Sequence, residues 1–222
     1  MKTTTWVLLA FISLGAYPGN ATPVKANPPK KTTMETIAQP TELTEQERAY
    51  AIKFLKETEA GVFNAVKNLS DAQLNFKAAA DKWSILECVK HIAAAEKELW
   101  AMAQPTLNQP ASPEKRAEIK ITDEALVKAV EDRSHKSKTF AAIEPANQPY
   151  KTLAQALAGF KENREKLIAF VKNTKQDLRN HVIILPVGTY DTYQYILLIA
   201  GHSNRHTQQI EEVKADPNFP KQ

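Results

Sequence analysis

Apolar residues recur along most of this chain at intervals of three and four, the spacing of one helix face. Between Thr44 and Leu69 the stripe is Ile52, Leu55, Val62, Val66 and Leu69. Thr44 with Glu47 three residues later opens it as a capping box, in which each side chain satisfies the other's backbone N–H. The stretch "SDAQLNFKAAADK" reads as a connector. A second stripe, Ile85, Val89, Ile92, Leu99 and Ala103, begins with Ser84 as N-cap, Glu87 three positions on, and Trp83 just before. "QPTLNQPASPEKRAEIKI" is a proline-punctuated loop, followed by a shorter helix that starts at Thr122 or Asp123. "EPANQPY" breaks that helix. The next is capped by Thr152 and carries Leu153, Leu157, Phe160, Leu167 and Val171 on one face. "HVIIL" has strand-like composition, but it is short and ends at Pro186. A lone strand forms no sheet, so the segment reads as extended loop. The last helix runs from about Thr192 to Lys214 and stops before "DPNFP".

Four long helices and one short one define an all-α fold. The expected architecture is an antiparallel four-helix bundle with a short extra helix in the crossover. No internal repeat interrupts this reading.

The start of the chain breaks the pattern. Lys2 precedes the apolar run "WVLLAFISLGA", which suits a signal peptide and is short for a membrane span. Small residues follow, with cleavage expected after Ala21 or Ala26. The expected organisation is a signal peptide over 1–26, a flexible linker rich in proline, threonine and lysine over 27–43, the bundle over 44–214, and a tail over 215–222. The mature protein is expected to be exported, periplasmic or secreted, with no stable membrane insertion once the signal is removed.

Composition narrows the function. The 222 residues suffice for one domain with a sizeable core. The 29 basic and 25 acidic residues are interspersed, with no basic stripe carrying aromatics, which argues against a nucleic-acid partner. A single cysteine, Cys88, excludes an intramolecular disulfide and a cysteine metal cluster. It reads as a small core residue, the alternative being a nucleophile activated by His91 three residues on.

The candidate chemistry lies in "LLIAGHSNRHTQQIEEV". His202 and His206 are four apart on one helix face, a spacing that lets two imidazoles reach one ion. The spacing alone is weak evidence. Ser203 follows His202, so there is no HExxH motif and no glutamate base beside the first histidine. A third ligand must come from another helix, and His91 is the best candidate. His135, in the charged "EDRSHKSK", and His181, in a loop, are poorer ones.

"LSDAQLNFKAAADKWSILECVKHIAAAE" resembles the second-helix signature of the DinB-like superfamily, through Leu69, Ser70, Gln73, Trp83, Ser84, Glu87, His91, Ile92 and Glu96. "LLIAGHSNRHTQQI" resembles the same family's final motif, through His202, Arg205, His206 and Gln209, and "TLAQALAGFKENREKLIAFV" is similar to its third bundle helix. The resemblance runs from about Thr44 to Val213. It implies a four-helix bundle holding a divalent metal ion, zinc or nickel, on His91, His202 and His206. Family members include transferases and isomerases that use cytosolic thiols. An exported chain has no such thiol at hand, so the expectation is hydrolysis or group transfer on a small-molecule substrate. The alternative is a non-catalytic bundle that binds a ligand or partner, with a structural metal or none. Glu87, four before His91, is a candidate base, although its capping-box role is sufficient to explain it. Arg205 is a candidate for assisting catalysis, or lies on an exposed face. Trp83 either walls the site or packs the helix start. Apolar helix faces of this kind allow a homodimer.

Overall fold

The computed structural model describes residues 42–135, 139–186 and 188–221. The expected signal peptide and most of the expected linker lie outside them. Six α-helices are described: α1 (Glu45–Ala65), α2 (Asp71–Asn75), α3 (Ile85–Leu107), α4 (Asp123–Glu131), α5 (Leu153–Asn173) and α6 (Thr192–Lys214). None of them is long and apolar enough to cross a membrane.

The helix starts fall where side-chain caps dictate. Thr44, Ser70, Ser84 and Asp191 each close a capping box, with Glu47, Gln73, Glu87 and Gln194 respectively. Thr122 and Thr152 cap α4 and α5. The ends were less legible. α3 continues through Pro105 to Leu107, where a loop was expected, because proline in a last turn removes only one ladder bond. The connector after α1 contains the five-residue α2, whose Ser70–Gln73 box is a start signal without an apolar stripe behind it.

α1, α3, α5 and α6 form the expected four-helix bundle, although two of its neighbouring pairs run parallel rather than antiparallel. α1 and α6 run parallel, since Gly61 lies against Thr207 and Lys214 reaches the Ala65 carbonyl. α3 and α5 also run parallel, since Glu96 pairs with Arg164 and the Trp100 ring meets that of Phe170. α1 opposes α5, where Arg48 donates to the Val171 carbonyl, and α3 opposes α6. Parallel neighbours require long connections. The connection from α3 to α5 supplies one, and it carries α4 against α6.

The apolar stripes meet in two buried clusters. One holds Leu55, Leu99, Leu167, Val171, Ile196, Leu197 and Ile199. The other holds Val62, Ile85, Cys88, Val89, Ile92, Phe160 and Ile210. Leu43, just before the α1 cap, already belongs to the first. Beyond α6, the Phe219 ring packs edge-on against Phe76, and Pro220 accepts a bond from Gln73.

The reading of "HVIIL" as extended loop is corrected. Val182–Leu185 (β1) pairs antiparallel with Gly188–Asp191 (β2), Val182 opposite Asp191 and Leu185 opposite Gly188. The partner was hidden because "GTYD" offers only two strand-forming residues. Gly188 has φ 148°, which side-chain-bearing residues rarely adopt. The hairpin feeds straight into α6, whose Thr192 hydroxyl and amide both donate to the His181 carbonyl.

Candidate metal centre

Two capped helices bring the three histidines together. His91 lies two turns into α3 on the stripe with Cys88 and Ala95, and His202 and His206 lie one turn apart on α6, which opposes α3. His202 Nε2 is 3.2 Å from His91 Nε2 and 3.2 Å from His206 Nε2. One ligand nitrogen from each residue lies within 4.8 Å of the others. Two nitrogens bound at ~2.0–2.1 Å to one tetrahedral ion sit about 3.3–3.4 Å apart, so the observed spacing fits a shared ion. His91 and His206 are buried, and His202 is half-buried as a residue although its ring is enclosed.

The outer ring nitrogens decide what the inner ones offer. His91 Nδ1 lies 2.7 Å from the Ile143 carbonyl, which only accepts, so Nδ1 donates and Nε2 carries a lone pair. His206 Nδ1 donates to Gln209 Oε1 at 2.9 Å, which leaves its Nε2 in the same state. Two lone pairs therefore face His202 Nε2, which owns at most one proton and can donate to only one of them. Protonation does not resolve the conflict. Burial pushes His91 down to about 4 and His202 down to about 3, the latter helped by neighbouring His91. Burial and the other two imidazoles push His206 well down. Three neutral imidazoles with converging lone pairs form a donor set suited to a divalent transition metal.

Trp83, the residue before the α3 cap, walls this cluster. Its ring centroid is 4.8 Å from that of His91 and 5.9 Å from that of His206. The other expected participants lie differently. Glu87 Oε2 accepts from the Ser84 amide at 2.8 Å, and Oε1 pairs with Lys77 at 2.8 Å. Arg205 donates to the carbonyls of Val130, Asp132 and His135, holding the chain that follows α4. His135 is exposed. His181 is buried, its two nitrogens 2.6 Å and 3.0 Å from the carbonyls of Asp177 and Gln109. Cys88 is fully buried, and burial raises its thiol to about 12, opposite to what a nucleophile requires.

Arg133 was not singled out from sequence. It grips Glu212 through Nε–Oε1 at 3.0 Å and Nη2–Oε2 at 2.6 Å, and its Nη1 is 3.5 Å from Gln209 Oε1. No local signal links residues 133, 209 and 212, because the contact exists only once the crossover packs on α6. A cleft of about 450 Å³ opens at the start of α6, lined in part by Glu47, Arg116, Asp123, Arg179 and Asp191. Its central charges are already engaged with one another, Arg179 binding Glu47, Asp123 and Asp191 at 2.6–3.0 Å. Asp191 lies about 17 Å along α6 from His202, so this cleft is separate from the histidines.

A helical bundle with three histidines converging from two opposed helices is the architecture of a metal-binding four-helix bundle. The DinB superfamily matches residues 54–210, and the chain belongs to that superfamily. It is 30% identical over 164 residues to the uncharacterized protein YuaE of Bacillus subtilis (strain 168), a match covering 73% of this chain and 96% of YuaE. Its fold is similar to that of YfiT from Bacillus subtilis, with a TM-score of 0.52 and 18% identity, covering 80% of this chain and 91% of YfiT. YfiT is described as "a probable metal-dependent hydrolase with an unusual four-helix bundle topology".

Proposed function

We propose that this protein is a metal-dependent hydrolase of small molecules, with His91, His202 and His206 as its metal ligands. One observation carries the reading: the Nε2 lone pairs of His91 and His206 both face His202 Nε2 at 3.2 Å, and each is locked by an acceptor on the far side of its ring. Such an arrangement is costly without a cation. A divalent ion held there supplies Lewis acidity, polarising a carbonyl or phosphoryl oxygen or activating a coordinated nucleophile. The description of YfiT agrees with this chemistry.

The chain's own residues divide the remaining work. Trp83 packs its ring against His91 and His206 and shields that side of the cluster. Arg205, through its three backbone carbonyls, holds the segment after α4 in position. Glu87 serves the α3 start and Lys77, so we assign it no proton transfer. The N-terminal segment directs export in this reading. That removes the cytosolic thiols from reach and favours hydrolysis over thiol transfer.

The test begins with chelator-stripped protein titrated with zinc and with nickel. About one ion per chain is expected, with a rise in Tm, and His202→Ala should lose both. An intact protein that binds neither ion refutes the reading. Cobalt-loaded protein should change its spectrum on adding azide, and hydrolysis of activated esters, amides or phosphoesters should track metal content. A loaded protein blind to azide and inactive on all three has a closed structural site, and the catalytic reading fails.

A further inference from the structure

We infer that Arg133 is a positioning residue for the metal centre: it orients the Gln209 side-chain amide so that its oxygen, not its nitrogen, faces His206. The inference rests on the metal-ligand reading proposed above and adds a device that controls one ligand.

His91 has no choice of tautomer, because the Ile143 carbonyl facing its Nδ1 can only accept. His206 does have a choice. Its Nδ1 faces a primary amide, which has an accepting end and a donating end. With the oxygen inward, Nδ1 carries the proton and Nε2 is free to coordinate. With the NH₂ inward, Nδ1 becomes the acceptor and the proton moves to Nε2, the nitrogen 3.2 Å from His202 Nε2. That tautomer would remove one of the three ligands.

The amide itself does not select between the two. Arg133 does, because a guanidinium has donors only. Its Nη1 lies 3.5 Å from Gln209 Oε1, so the amide oxygen sits between two donors, Arg133 and His206 Nδ1. Turning the amide over would set its NH₂ against the Arg133 donor, while His206 Nδ1 would have to give up its proton and accept. The contact is long, and its effect is directional rather than strong. The guanidinium keeps its aim because Glu212 grips it by two parallel bonds of 2.6 Å and 3.0 Å. Arg133 follows α4 in the crossover, whereas Gln209 and Glu212 are on α6. The docked crossover therefore sets the protonation pattern of a ligand on the bundle. Partners that fix the ring of a ligating histidine typically matter about 10–100-fold in metal affinity.

The clamp is partly exposed, with Arg133 and Glu212 side chains 24% and 54% accessible, so its variants should fold. The experiment uses protein labelled with ¹⁵N-histidine. Long-range ¹H–¹⁵N spectra of the metal-free protein report the His206 tautomer, and chelator competition reports zinc affinity. Wild type should show Nδ1–H. Arg133→Met should add the Nε2–H tautomer and weaken zinc about tenfold, and Glu212→Gln should shift both the same way by less. Gln209→Glu presents a carboxylate with accepting oxygens only, so there the tautomer should stay Nδ1–H whether or not Arg133→Met is added. Two results would overturn the inference: Arg133→Met with a pure Nδ1–H tautomer and unchanged zinc affinity, or a tautomer shift that persists in the Gln209→Glu background. Failure of the metal reading looks different, as wild type itself would then take up no zinc.

Discussion

Replacing Arg164 with methionine should be among the most damaging single changes in this protein. Arg164 is completely buried between the four long helices, yet its guanidinium makes five hydrogen bonds: to Glu96 Oε1 and Oε2 at 2.6 and 2.8 Å, the Leu55 carbonyl at 2.6 Å, Thr58 Oγ1 at 2.7 Å and Ser203 Oγ at 2.9 Å. Methionine fills much of the volume and removes the charge. The two hydroxyls keep other acceptors, Thr58 Oγ1 with Phe54 and Leu55 and Ser203 Oγ with Ile199. Glu96, 2% exposed, loses the guanidinium that pairs with both its oxygens and is left as a buried charge. Breaking a buried ion pair in this way costs about 3–5 kcal/mol. For a domain of this size, 4 kcal/mol lowers Tm by about 8–16 °C. Urea and thermal unfolding of stripped wild type and Arg164→Met measure the loss directly. The control is Arg164→Met with Glu96→Leu, which removes the stranded carboxylate and should recover most of the stability. A single variant within about 1 kcal/mol of wild type would refute the reasoning, as would a double variant no more stable than the single.

Acid should destabilise the metal-free protein more than ordinary surface titration would. Burial lowers His91 from 6.5 to about 4, so between those values the unfolded chain binds a proton that the folded one refuses. Stability should therefore be highest above pH 6.5 and fall by about 3 kcal/mol for this residue as pH drops towards 4, measured by urea midpoints across pH. A flat profile would contradict the buried, neutral imidazole. Ser84→Ala breaks the capping box that starts α3 and should cost about 1 kcal/mol by the same unfolding assay, with m unchanged. Cys88 should resist alkylation in the folded protein at pH 8 and react in urea, because burial raises its thiol to about 12; rapid labelling of the native state would disprove its core position.

Much of this protein was legible because its signals are local. Ser84 with Glu87, Thr44 with Glu47 and Thr152 fix helix starts within one turn, and the stripes behind them name the buried faces. His202 and His206 share a face by helix geometry alone. The α2 turn and the β1–β2 hairpin went unread because each is short: α2 has no apolar stripe behind its cap, and β2 offers only two strand-forming residues to pair with β1.

What the linear order of residues determined was therefore periodic and short-range: an all-helical bundle, its caps, and a pair of imidazoles one turn apart. Folding decided the rest. It alone set α3 against α6 so that His91 reaches His202, turned Ile143 and Gln209 towards the outer ring nitrogens, and packed the crossover so that Arg133 meets Gln209. The physical reason is distance along the chain. Residues three or four apart meet through the helix repeat, whereas residues 52 or 111 apart, such as Ile143 and His202 are from His91, meet only when whole helices dock.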